Sequence, residues 1–230
     1  MNGRLKDRAE AGRLLGAQLS AYTGHPDVIV LGLPRGGVEV AYEIARVLRA
    51  PLDVFLVRKL VVPNFAELAM GAIATGGIES LNPDVIEEFR LTRSEIEPVL
   101  RAERSELERR EEAFRDGRPA PDLRGRTAIL ADDGIATGST MRAAIAGVKR
   151  LGAARIVVAV GVAPMSTRLI LGSEADEVAC LLTPRDFRAV SLFFDSFPQL
   201  TDGDVRALLN DAWQRGAAEG EAAQATAPGK

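Results

Sequence analysis

Two adjacent carboxylates followed by small hydroxylated residues form the chain's most chemically suggestive string, Asp132-Asp133-Gly134-Ile135-Ala136-Thr137-Gly138-Ser139-Thr140. The apolar run Thr127–Ala131 precedes it and the helical pattern Met141–Leu151 follows, so a strand is predicted to end and its crossover helix to begin there. In open α/β sheets that junction is the ligand crevice, and the free N–H groups of the helix's first turn, reinforced by its dipole, suit a phosphate. Gly138 admits close backbone approach, and Thr137, Ser139 and Thr140 add hydroxyl donors. The string departs from a nucleoside-triphosphate loop. Gly134-x-x-x-Gly138-Ser139-Thr140 is one residue short between its glycines and lacks the lysine, so a monoester phosphate fits better than a triphosphate.

Two carboxylates beside an anion site make sense where the ligand also offers donors or brings a cation. A ribose diol offers the donors, and Mg²⁺ is the expected cation. Asp132 and Asp133 can accept hydrogen bonds from neighbouring hydroxyls while the next loop holds a phosphate on the same sugar. The combination describes ribose 5-phosphate. An acidic, helix-capping turn explains each residue singly, and a receiver-like phosphoacceptor site explains the acid pair. Neither accounts for the whole string.

The elements that must position this string are legible as apolar runs at Asp27–Leu33, Leu52–Val57, Thr127–Ala131, Arg155–Val162 and Glu177–Leu182. Most are continuous rather than alternating, as in strands buried on both faces. Between them, Ala41, Ile44, Ala45 and Leu48, and again Met141, Ala144, Ile145 and Val148, make single apolar helix faces. This alternation predicts an α/β fold, an open parallel sheet with flanking helices. A helix over about Asp7–Tyr22 precedes the series and another, Asp202–Trp213, follows it.

Two segments break the alternation. Ala69–Leu81 reads as two short strands around Thr75-Gly76-Gly77, a hairpin within the flap candidate Leu60–Leu81. From Arg93 to Arg115, thirteen of twenty-three residues are charged, with Glu97–Arg101, Glu106–Arg110 and Glu111–Arg115 at i,i+4 and Leu100, Leu107 and Phe114 one heptad apart. That is a solvated helix with a narrow seam. It could pair with a second copy, leaving a homodimer open, but packing on its own domain is the expected use. One domain over residues 1–213 is expected, with residues 214–230, Ala/Gly/Glu-rich, as a disordered tail.

Composition excludes several classes. A formal charge of −3 gives no global basic field for nucleic acid or an anionic membrane. The single histidine, His25, lies in a turn-like stretch and cannot supply a His-rich metal site. The single cysteine, Cys180, precludes internal disulfides and is expected to be a buried thiol. Met1–Gln18 lacks a signal-like apolar stretch, and no run is long enough to span a bilayer, so the cytoplasm is expected.

The acid pair and its Thr-Gly-Ser-Thr loop resemble the 5-phosphoribosyl-1-pyrophosphate (PRPP) motif of the type I phosphoribosyltransferases, Rossmann-like proteins with a flap and a small hood. Gly134 stands where many members carry a branched apolar residue, which should loosen the loop. Leu33-Pro34-Arg35-Gly36-Gly37 looks like the family's pyrophosphate loop: Arg35 is a forked cation, and Gly36-Gly37 exposes N–H groups at the start of the Val38–Leu48 helix. Members often carry a cis peptide here, which would be Arg35–Gly36. Val57-Arg58-Lys59 resembles the basic strand end of orotate-type members, with both cations facing the crevice of Arg35. Leu60–Leu81 takes the place of the catalytic flap. It holds no lysine, arginine or histidine, which many relatives lay over the pyrophosphate, and Glu67 is its one acid before Glu79. Thr183–Phe197, with four of the chain's eight phenylalanines, looks like the hood that frames the acceptor base.

The resemblance implies transfer of phosphoribosyl from PRPP, with Mg²⁺, to a small nitrogenous acceptor. Asp132, Asp133, Arg35 and Lys59 would be catalytic; Arg35, Gly36, Gly37, Arg58, Lys59 and Asp132–Thr140 would bind PRPP, and Mg²⁺ would be held mainly by PRPP and water with Asp132 or Asp133. The cation-free flap favours the alternative, a non-catalytic PRPP or nucleotide sensor.

Overall fold

The structure, a computed structural model, describes residues 3–225. The chain runs through α1 (Arg8–Gln18), β1 (Val28–Gly32), α2 (Gly36–Leu48), β2 (Leu52–Val54), β3 (Val57–Val62), β4 (Phe65–Ala74), β5 (Ile78–Leu81), α3 (Pro83–Glu88) and α4 (Arg93–Arg115). It continues through β6 (Thr127–Gly134), α5 (Ser139–Arg150), β7 (Arg155–Val162), α6 (Met165–Glu174), β8 (Glu177–Leu182) and α7 (Asp202–Ala225). Five strands form one sheet in the order β2-β1-β6-β7-β8, parallel throughout. The continuous apolar runs are its inner strands: β1 is buried at every position and β7 at all but Arg155.

The helices cover both faces. One core layer packs α1, α2, α4 and α7 on the sheet around Leu15, Ile44, Leu107 and Leu209; the other packs α5 and α6 around Met141, Ile145 and Leu171. The order of connections reverses between β1 and β6, the two strands whose C-terminal ends carry the candidate loops. Such a switch point opens a crevice, because the chain leaves the neighbouring strands toward opposite faces.

β3, β4 and β5 form a separate antiparallel sheet. The expected hairpin around Thr75-Gly76-Gly77 is present, with β3 as a third strand. The strand expected over Leu52–Val57 ends at Val54, and Arg58 and Lys59 open β3 instead of closing β2. Side chains alternate sides along a strand, so the adjacent cations diverge rather than sharing one face.

The charged helix α4 has the expected bounds, with a capping box of Thr92 and Glu95 at its start. Its seam residues Leu100, Leu107 and Phe114 are buried within the chain's own core. The last helix overruns its expected end at Trp213 and continues to Ala225, covering residues 214–225 of the segment expected to be disordered. Ala, Glu and Gln dominate that stretch, and all are good helix formers. Residues 226–230 lie outside the described residues.

Candidate active site

The two candidate loops meet at the switch point. A Cβ built on Gly36 would collide with Asp133 Oδ2, and one on Gly37 would lie 2.6 Å from the Ala131 carbonyl and 2.9 Å from Asp132 Oδ1. The glycines therefore let the α2 N-terminus rest against the acid pair's backbone. The cis peptide is Pro34–Arg35, one bond earlier than expected.

The acid pair ends β6, and each carboxylate has one oxygen engaged. Asp132 Oδ1 accepts the Asp133 N–H at 2.9 Å, while Asp133 Oδ2 accepts Arg8 Nε at 2.7 Å. No other side chain among the described residues bonds to either group. Burial, then the neighbouring charge of Asp133, pushes the Asp132 carboxyl well above its usual range. Burial also raises Asp133, against the opposing pull of Arg8.

Arg8 was not singled out as functional in the sequence, where it is one more arginine in a packing helix. It is 5% exposed, donates to the Pro198 carbonyl at 2.7 Å, and lies with its guanidinium carbon 3.7 Å from the centre of the Phe197 ring. Glu39 stands 4.0 Å away, its carboxyl raised by burial. The sequence signal available was Asp7 as N-cap, which places Arg8 in the first turn and turns it inward.

Beyond the acids, Ile135 is a core residue whose N–H bonds the Val162 carbonyl, so it fastens the loop to β7. Thr167 of α6 donates to the Ala136 carbonyl at 2.7 Å. Gly138, at φ +80, then turns the chain into α5. Thr137, Ser139 and Thr140 are exposed, with the Thr137 and Ser139 hydroxyls 3.3 Å apart. All three residues line one broad groove at the start of α5, where a helix's first-turn N–H groups are free of intrahelical partners.

Gly134 does not loosen the loop. A Cβ there would fall 2.6 Å from Val190 Cγ1 and 2.7 Å from Val162 Cγ1. Val190, from the expected hood, occupies the volume that a branched loop residue would claim. The hood itself is framed by Phe187 stacked on Phe193, centroids 5.7 Å apart, and by Phe194 against Phe197 at 5.0 Å; Phe194 is buried.

The cations divide between two openings that share Thr140. Arg58 lines a narrow cleft with Leu33, Pro34 and Thr140, and its Nε bonds Glu103 at 2.6 Å. Lys59, exposed and without an ion pair among the described residues, lines a broad groove of about 780 Å³ together with Thr137, Ser139 and Thr140. Arg35 is half-exposed, 3.9 Å from Asp202. Glu67 is an exposed groove residue. His25 is exposed beside Asp27, and Cys180 is half-buried with its thiol pushed up by burial. Among the described residues no group of three or more His, Cys, Asp or Glu is arranged to hold a metal. None of their helices is long and apolar enough to cross a membrane.

The family profile of the phosphoribosyl transferase domain matches residues 3–182. Proteins of two Mycobacterium tuberculosis strains, CDC 1551 / Oshkosh and ATCC 25618 / H37Rv, provisionally named phosphoribosyl transferases, are each 46% identical over 206 residues. The match takes in 90% of this chain and 46% of each relative, so the chain spans about half their length. The crystal structure of TT1426 from Thermus thermophilus superposes with a TM-score of 0.80 at 42% identity, over 90% of this chain and 98% of that one.

Proposed function

The chain belongs to the phosphoribosyl transferase family, and from that premise we propose that it moves the 5-phosphoribosyl group of PRPP to a nitrogenous base or other amine, inverting C1 and releasing pyrophosphate. The observation that carries this reading is the half-used acid pair. Asp132 Oδ1 and Asp133 Oδ2 are engaged inside the protein, which among the described residues leaves one oxygen of each acid without a side-chain partner at the end of β6, where the hydroxylated loop begins. Two neighbouring ribose hydroxyls match that pattern.

In this reading Thr137, Gly138, Ser139 and Thr140 anchor the 5-phosphate, and that remote binding energy positions C1. The paired carboxylates favour positive charge developing at C1 as the bond to pyrophosphate lengthens. Arg35, with Lys59 and Arg58 at the adjoining openings, stabilises the leaving group, and the Gly36-Gly37 backbone offers it N–H donors. The donor set fits a Mg²⁺ carried by diphosphate oxygens and water, with Asp132 or Asp133 as its protein contact, since Mg²⁺ ordinarily takes one or two carboxylates plus substrate phosphates. When bound, the ion neutralises charge on the leaving pyrophosphate. Both substrates are small molecules, and the cytoplasm is the proposed compartment.

The test is pyrophosphate release from Mg²⁺–PRPP across a panel of bases and amines, run beside a thermal-shift titration. PRPP at 100 times its Kd stabilises a native-only binder by about 2.7 kcal/mol, a rise of roughly 5–11 °C at about 2–4 °C per kcal/mol. A metal-dependent shift with steady release supports the enzyme. The same shift with no release on any acceptor supports the PRPP sensor, the reading favoured by a flap without Lys, Arg or His. No shift at any PRPP concentration overturns both.

A further inference from the structure

The flap supplies no cation, yet a third arginine reaches the same end of the site from an unexpected element. Glu106 stands four residues before Arg110 on α4, the spacing of an ordinary helix-surface pair. It is instead taken by Arg109, whose Nε and Nη2 bond the two Glu106 oxygens at 2.7 and 2.8 Å. Arg110 is left to turn inward. Its side chain, 26% exposed, lines the cleft shared by Pro34, Arg58 and Thr140.

Its remaining ion pair is loose. Arg110 Nη2 lies 3.8 Å from Asp202 Oδ1, and the same oxygen lies 3.9 Å from Arg35 Nη1. Both separations exceed hydrogen-bond reach, and pairs this exposed contribute little. One carboxylate therefore spans two arginines that an anion between them would satisfy better. Arg58, held by Glu103 at 2.6 Å, lines the same cleft as Arg110 and Pro34, and Arg35 follows Pro34 directly as the N-cap of α2. The cleft, about 30 Å³, admits about one water-sized group, so phosphate oxygens would enter its mouth while the rest of a diphosphate stays outside it.

We propose that Arg110 is a diphosphate-binding residue, supplying from α4 the cation that the flap lacks, with Asp202 as a displaceable placeholder between Arg110 and Arg35. The inference rests on the reading of Pro34–Gly37 as the pyrophosphate loop.

The experiment compares calorimetric titrations of pyrophosphate and of ribose 5-phosphate, each with Mg²⁺, into the wild type, Arg110→Gln, Arg110→Lys and Asp202→Asn. Arg110→Gln is expected to weaken pyrophosphate about tenfold or more while leaving ribose 5-phosphate within about twofold, the scale of a lost charge-assisted contact. Arg110→Lys should recover part of the loss, since it restores charge without the fork. Asp202→Asn should tighten pyrophosphate, because it removes the competing carboxylate. An Arg110 that merely ties α4 to α7 through Asp202 predicts the opposite for Asp202→Asn, a weakening that parallels Arg110→Gln, and that result overturns the proposal. Unchanged pyrophosphate affinity in Arg110→Gln, or equal loss of both ligands, overturns it while the site reading stands. A wild type that binds neither ligand overturns both.

Discussion

Arg8 and Asp133, 125 residues apart in sequence, are joined by a 2.7 Å hydrogen bond between two buried charges, the Nε of one and the Oδ2 of the other. The pair ties the first helix to the end of β6 and occupies one of the two Asp133 carboxylate oxygens. Removing one partner of a buried pair leaves the other uncompensated, which costs about 3–5 kcal/mol.

Arg8→Met should therefore destabilise the fold by about that amount near neutral pH. The sign of its pH dependence follows from Asp133, whose folded pKa is already raised by burial and is held down by Arg8. Without Arg8 it rises further above the unfolded value. Between the two values the folded state binds more protons than the unfolded state, so stability falls as pH rises. Melting curves of the variant should show a deficit that grows from about pH 4 toward pH 7. A deficit constant across that range would assign the loss to packing on Phe197 rather than to charge.

The sheet strands and the site string were legible because both are written locally. β7 and β8 have their expected bounds, and the loop from Asp132 to Thr140 carries its chemistry in consecutive residues. Arg8 was hidden because its partner is distant in sequence and nothing local distinguishes it from the exposed arginines. The divergence of Arg58 and Lys59 was hidden for another reason: an apolar run does not reveal that the chain leaves one sheet at Val54 and enters a second at Val57. Gly134 looked like a loosened position because Val190, which fills its volume, lies 56 positions further along.

That last relationship is testable by a double-mutant cycle. Gly134→Val places a Cβ within 2.6–2.7 Å of Val190 and Val162. Overpacking of this kind costs about 1–3 kcal/mol. Val190→Ala in the same chain should return part of that loss, visible as a favourable coupling in denaturant unfolding. Strict additivity of the two substitutions would mean that Val190 does not occupy the space as described.

The flap sheet should not move as one piece. The Thr75 end is fixed, since its N–H bonds the Leu56 carbonyl, its hydroxyl accepts the Leu56 N–H at 2.9 Å, and Arg150 donates to the Glu79 carbonyl. The opposite turn, residues 62–65, carries Asn64 at φ +67 and Phe65 at 53% exposure. Hydrogen exchange should be slow at Thr75 in the free protein and fast in the turn between β3 and β4, with the turn slowing when Mg²⁺–PRPP is added. Slow exchange in that turn without ligand would identify a fixed structural hairpin and remove it as a lid.

The two acids should separate stability from binding. Asp132 is raised well above its usual range, first by burial and then by Asp133, against a weaker pull from Arg8, which bonds Asp133 instead. Its ionised form therefore weakens the fold as pH climbs from the unfolded carboxylate value, about 3.9, through the raised folded value. Asp132→Asn removes that penalty and keeps an oxygen for the Asp133 N–H, so it should melt above the wild type at neutral pH and lose the advantage toward pH 3–4. Asp133→Asn should gain less, because Asp133 is raised only against the pull of Arg8 and the substitution also strips the charge partner from that buried guanidinium. Both substitutions should weaken PRPP, by roughly 1.5–3 kcal/mol for a hydrogen bond to a charged acceptor. A gain in stability joined to a loss of ligand affinity in Asp132→Asn would identify a residue kept ionised for its ligand at the expense of the fold. Unchanged affinity in both variants would remove the acid pair from the ribose and leave its burial without a functional reason.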